Sequence, residues 1–285
     1  MVLRSIAHND PQLEQYKEKI QWYTKPVEAL GFTYQLYLNE DQPVGIASIG
    51  QEPMQLFKPI GTPLIRLIVI DYAQSEEILN ALADEVLHLA KSRDVDFAYL
   101  DILAKQERLG EHLKQIGFQE LANRYEMIRP LNDSVKASDQ LRYEQIRRED
   151  VKQFFVYMKE FMSGSPDVVL NMVIENMKDV PEEILDYWYQ SDQAYFVYHE
   201  KELIGILDLV PPAGFIQNIG VAPAHRRKGF ATEMLRFCLQ LLKDAGNEKA
   251  KLGVHVDNKG AIRLYESLGF KVDEQVQTFI WWNTS

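Results

Sequence analysis

Arg226, Arg227 and Lys228 stand in a row ahead of Gly229, which is followed by Phe230, Ala231 and Thr232 at the head of a segment with helical apolar spacing. A basic, glycine-containing loop that opens a helix is an anion-binding arrangement. The first N–H groups of a helix lack intrahelical partners and lie at the positive end of its dipole, so they suit a pyrophosphate. Gly229 lets the backbone approach phosphates without a side chain in the way, and the three cations add charge. Further on, Asn258 and Tyr265 are seven residues apart. On a helix that interval returns to the same face, so both side chains can point toward one ligand.

These residues need elements to position them, and the sequence supplies candidates. Phe215–Val221 reads as a strand entering the basic loop. Met234, Leu235, Cys238, Leu239 and Leu242 then recur at helical spacing, with Gly246 where a helix would be capped. Upstream, Ala194–Tyr198 and Leu203–Val210 flank a polar turn and read as a hairpin; downstream come a strand at Ala250–Val256, a helix at Asn258–Leu268 and closing strands at Phe270–Trp282. The first half repeats the order. It has a hairpin at Phe32–Leu38 and Val44–Ile49, a strand at Leu64–Ile70, a helix carrying Leu79, Leu82, Val86 and Leu89, a strand at Phe97–Leu103 and a helix at Glu107–Ile116. Leu113–Phe118 and Tyr265–Phe270 end alike on Gly-Phe, which points to a duplicated domain. The polar stretch Asn132–Asp139 reads as the connection, dividing the chain into domains at 1–131 and 139–285.

The run Arg226–Ala231, with Val221–His225 before it, resembles the coenzyme A loop of the GNAT N-acetyltransferase family: Gln or Arg, two residues, Gly, one residue, then Gly or Ala. The run from Asn258 to Phe270 is similar to the family's other motif, an Asn that opens a helix and a Tyr seven residues later. This resemblance implies an α/β (α+β) chain of two tandem GNAT domains, each a mixed, mostly antiparallel sheet flanked by helices. It implies acetyl-CoA as co-substrate, held by Arg226, Arg227, Lys228, Gly229, Phe230, Ala231, Thr232 and Asn258 and by backbone groups of Ile219, Gly220 and Val221. Tyr265 would stand near the thioester sulfur as general acid. The implied reaction is direct attack of an amine, small-molecule or peptide, on the acetyl group in a ternary complex. Another acyl-CoA, a non-amine acceptor, or a non-catalytic CoA-binding regulator are the alternatives. Many members place the amine's general base, a Glu, five residues before the Asn; here that position is Gly253. Asp208, Asn218 and His255 are polar candidates on neighbouring strands, and strand alternation alone selects none of them.

The equivalent loop in the first half, Gln74–Leu79, has no glycine, no cation and two carboxylates. Like charge would repel phosphates there, so that half reads as a degenerate GNAT-like domain. A net charge of −11 disfavours nucleic acid as a partner. Cys238 is the sole cysteine, and it reads as a core residue. The six histidines have no ligand spacing, so no metal is expected, and His225 reads as solvated. No run of about 18 apolar residues suggests a membrane span, and the expected location is the cytoplasm. The resemblance leaves a homodimer open.

Overall fold

The computed structural model describes residues 3–53, 56–132, 137, 139–176 and 180–284. The first half forms β1 (Arg4–Ala7), α1 (Lys17–Ala29), β2 (Thr33–Asn39), β3 (Gln42–Gln51), β4 (Pro63–Val69), α2 (Glu76–Ser92), β5 (Phe97–Leu103), α3 (Glu107–Gln115) and β6 (Gln119–Pro130). The second half forms β7 (Leu141–Gln145), α4 (Val151–Phe161), α5 (Val168–Asn176), α6 (Glu182–Ser191), β8 (Gln193–His199), β9 (Glu202–Val210), β10 (Phe215–Val221), α7 (Phe230–Asp244), β11 (Lys249–His255), α8 (Lys259–Ser267) and β12 (Lys271–Trp282). The succession from β2 to β6 is repeated from β8 to β12. The shared Gly-Phe marker is a helix stop. Gly117 and Gly269 adopt φ of +102° and +87°, and the following Phe N–H reaches back to Leu113 O at 2.9 Å and to Tyr265 O at 3.1 Å. This is the Schellman closure that a glycine after the last turn permits.

The chain divides into two compact units: Met1–Asn123 with Gln275–Ser285, and Arg124–Glu274. This differs from the expected boundaries at 131 and 139; of the polar connection, 133–136 and 138 lie outside the described residues. The cause is an exchange of closing strands. The last seven residues of β12 pair antiparallel with β5, from Val276↔Leu103 to Trp282↔Phe97. β6 leaves its own half and pairs antiparallel with β11, from Lys249↔Pro130 to His255↔Arg124. Phe270–Trp282 thus holds one long strand rather than several.

The first unit's strands run β1-β2-β3-β4-β5-β12, with one parallel pair, β4 and β5. The second unit's run β6-β11-β10-β9-β8-β7, with β10 and β11 as its parallel pair. Each is a mixed, mostly antiparallel sheet with flanking helices, as the family resemblance implied. In the second unit the two sheet faces can be followed along β9. Leu207 and Leu209 enter a core with Met234, Leu235, Cys238, Leu239 and Leu242 of α7, and Ile206 enters another with Phe154, Phe155 and Met158 of α4 and Trp188 of α6. Cys238 is fully buried, and burial pushes its thiol far up, so it packs and does no chemistry.

Candidate functional site

The site of the second unit begins where its parallel pair comes apart. β10 and β11 pair only at Phe215↔Lys251 and Ile216↔Leu252. An irregularity between Ile216 and Asn218 then turns β10 away, while it stays paired with β9 as far as Val221. Ala222 N–H donates to Ile204 O at 2.9 Å. Alternation back along the strand therefore directs the peptide groups of Gly220 and Asn218 toward β9 and those of Ile219 and Val221 into the gap. Of the three backbone positions expected to meet a ligand, two face it. A cavity of about 380 Å³ occupies the split, lined by Asn218, Ile219, Val221, Ala231, Leu235, Gly253, His255, Asn258, Leu264 and Tyr265 and by the segment Phe161–Asp167.

At the end of β10 lies the start of α7. Gly229 is its N-cap in the left-handed region, φ +87°, and no side chain caps the helix. A β-carbon on Gly229 would meet nothing within 4 Å, so the space above the first turn is open. A second cavity of about 440 Å³ lies here, bounded by Arg227, Gly229, Phe230, Ala231, Thr232 and by Gly260 and Ala261 of α8. Uncapped N–H groups beside exposed Arg227 and Lys228 suit a diphosphate. Two side chains near the loop behave differently from expectation. Arg226 directs its guanidinium to protein carbonyls: Nε donates to Val221 O at 3.2 Å, and Nη2 to Phe161 O at 3.1 Å and Ser163 O at 3.2 Å. His225, expected to be solvated, has a side chain only 14% exposed, with Nε2 2.9 Å from Glu202 Oε1.

Asn258 and Tyr265 both line the first cavity. Asn258 is the N-cap of α8: its Oδ1 accepts from Ala261 N–H at 3.2 Å, which leaves the amide Nδ2 as its donor to a ligand. Tyr265 packs edge-on against Phe270, with ring centroids 6.0 Å apart. Burial, and secondarily the nearby Cys238, push its hydroxyl up to about 12. What surface it retains includes the face that lines the cavity.

The three polar candidates for handling the amine separate clearly. Asp208 is fully buried; its Oδ2 accepts from Asn218 Nδ2 at 3.1 Å and its Oδ1 has no partner. Burial and the neighbouring Asp192 hold its carboxyl well above the usual range, and it stands behind Asn218 rather than on the cavity wall. His255 accepts Asp257 N–H on Nδ1 at 3.2 Å, which places the neutral ring's proton on Nε2 and makes that atom a donor. Asn218 lines the cavity as a neutral amide. Gly253, where many family members carry the base, also lines it, and a β-carbon there would meet only Arg124 Cδ, at 3.9 Å. Sequence reasoning missed the wall Phe161–Asp167. Its one local signal was the turn-rich run Ser163-Gly164-Ser165-Pro166-Asp167.

Residues 157–270 match the Acetyltransferase (GNAT) family. This segment, which runs from α4 to the end of α8, is what is similar to that family. Among curated relatives, GCN5-related N-acetyltransferase 6, chloroplastic, of Arabidopsis thaliana is 41% identical over 61 residues, 21% of this chain and 21% of the relative. Mycothiol acetyltransferase of Corynebacterium efficiens is 31% identical over 91 residues, 31% of each chain. The matched part thus spans about a fifth to a third of these relatives' own length. A tandem GNAT protein from the clavulanic acid biosynthesis pathway has the same fold with a TM-score of 0.63, at 13% identity over 98% of both chains. A GCN5-related N-acetyltransferase from Sphaerobacter thermophilus gives 0.59, at 14% identity over 87% of this chain and 79% of that one.

The two units differ at the helix that follows their third matching strand. α2 opens after Ser75 with Glu76 and Glu77 in its first turn. Glu76 pairs with Arg108 at 2.5 Å. Those carboxylates occupy the positive end of the α2 dipole, where α7 offers a bare glycine. Among the described residues no group of three or more His, Cys, Asp or Glu could hold a metal. No described helix is long and apolar enough to cross a membrane.

Proposed function

We propose that the second GNAT unit transfers an acetyl group from acetyl-CoA to a small-molecule or peptide amine, by direct attack within a ternary complex. The observation that carries this reading is the split between β10 and β11, with an uncapped α7 N-terminus at one end and Tyr265 within it. The diphosphate would sit over Gly229–Thr232, with Arg227 and Lys228 balancing its charge. Along the gap edge, Ile219 and Val221 would pair with the amide-bearing arm of the donor as a β-strand does, and Asn258 Nδ2 would add a donor. One strand-edge N–H would polarise the thioester carbonyl.

The amine lone pair attacks the acetyl carbon, the C–S bond breaks, and the thiolate leaves toward Tyr265. Because Asn218 rather than Asp208 lines the cavity and His255 turns its Nδ1 to Asp257 N–H, the amine loses its proton to water at the mouth of the cavity. Asn218 would orient that water. The first unit, with Glu76 and Glu77 where phosphates would lie, takes no donor. Titration calorimetry with acetyl-CoA should give one site per chain. Two equivalent sites would overturn the assignment of the first unit, and no binding would overturn the reading as a whole.

A further inference from the structure

The guanidinium of Arg226 bridges two parts of the second unit far apart in sequence. Its Nε–Nη2 edge is occupied by Val221 O on the gap edge of β10 and by Phe161 O and Ser163 O, 65 and 63 residues away in sequence. Phe161 ends α4, so these acceptors belong to the carbonyls that a helix C-terminus leaves unsatisfied. A cation there is also favoured by the dipole. The contact is close at Gly220: a β-carbon there would stand 3.0 Å from Phe161 Cβ and 3.1 Å from Met162 Cγ, so any larger residue would push back the end of α4. Past that point, Ser163–Asp167 runs on as one wall of the cavity. The same arginine begins the basic loop that leads through Arg227 and Lys228 to Gly229.

We propose that Arg226 is a positioning residue that couples the phosphate loop to residues 161–167, so that donor binding at α7 steadies this wall of the cavity. This rests on acetyl-CoA binding at the α7 loop. A phosphate ligand would need its charge near the α7 N-terminus, whereas this guanidinium aims its fork at three carbonyls. A planar fork can serve three acceptors held in one arrangement; a lysine, a point charge on a flexible stem, cannot.

The test uses the full chain and Arg226→Lys and Arg226→Gln variants, with CoA affinity from calorimetry and amide exchange of residues 161–167 with and without CoA. In the wild type, CoA should slow exchange in this segment. In both variants CoA should bind within about threefold of wild type while exchange in 161–167 becomes about tenfold faster and no longer responds to CoA. With the best acceptor from an amine panel, the amine KM should rise and the acetyl-CoA KM should not. Should Arg226→Gln lose its fold, Arg226→Lys, which keeps the charge, carries the same comparison. The proposal is overturned if Arg226→Gln weakens CoA tenfold or more, Arg226→Lys restores it, and exchange in 161–167 is unchanged, since that is the behaviour of a phosphate ligand. It is equally overturned if the variants lower only the melting temperature. Absence of CoA binding in the wild type would instead refute the proposed function, and the exchange rates without CoA would still report on the strut.

Discussion

Replacing Tyr265 by Phe removes one hydroxyl and keeps the ring against Phe270. The size of the expected effect follows from the hydroxyl's environment. With its pKa pushed up to about 12, it is a weaker acid than a thiol of about 8.5 by several units, so full proton transfer to a departing thiolate would run uphill. What Tyr265 can give is a hydrogen bond to developing charge, worth about 1.5–3 kcal/mol, or roughly 10- to 100-fold in kcat. Steady-state kinetics should therefore show that loss in kcat for Tyr265→Phe, with the acetyl-CoA KM nearly unchanged. The wild-type profile should show no loss of activity at high pH as far as pH 10, because this hydroxyl ionises only near 12. A loss beyond about 1000-fold, together with a wild-type limb near pH 10 that vanishes in the mutant, would mean true proton transfer by an unshifted tyrosine and would refute this reasoning. Unchanged turnover with a lower melting temperature would make the residue a packing element only.

Gly229→Glu places a carboxylate over the α7 N-terminus at φ +87°; it should cost about 1–2 kcal/mol of stability from the left-handed backbone and abolish thermal stabilisation by CoA. Asp192, buried, has its carboxyl pushed up to about 6, chiefly by burial. Because the folded value lies above the unfolded one, its contribution is intact below about pH 4 and is lost as pH rises through 6. Asp192→Asn should therefore raise stability at pH 7.5 by up to about 3 kcal/mol and change little near pH 4, and superimposable melting curves at both pH values would contradict this. Gly253→Glu has room for its β-carbon and places a carboxylate beside Glu126, its cross-strand partner on the same face. Where amine deprotonation limits the rate, kcat/KM should rise several-fold below the amine's own pKa, and pH profiles of the two proteins with one amine would display it.

The sequence by itself determined the parts that local chemistry dictates. Gly229 after three cations, the helical spacing of Met234 to Leu242 and the Gly-Phe stops after α3 and α8 are short-range patterns, and each was legible because backbone angles and periodicity act within a few residues. Asn258 and Tyr265 were placed on one cavity by the same logic, although the cap that Asn258 forms and the shifted hydroxyl of Tyr265 depend on what surrounds them. The tertiary structure alone decided which strands close each unit. β6 and β12 are ordinary strands of mixed polar and apolar residues, and nothing in their alternation names a partner more than a hundred residues away. It alone showed that Arg226, alike in type to its neighbour Arg227, spends its hydrogen bonds on the end of α4. It alone brought Phe161–Asp167 to the cavity and buried Asp208 behind Asn218, because burial and hydrogen-bond partners are properties of the packed chain that no residue carries in its type.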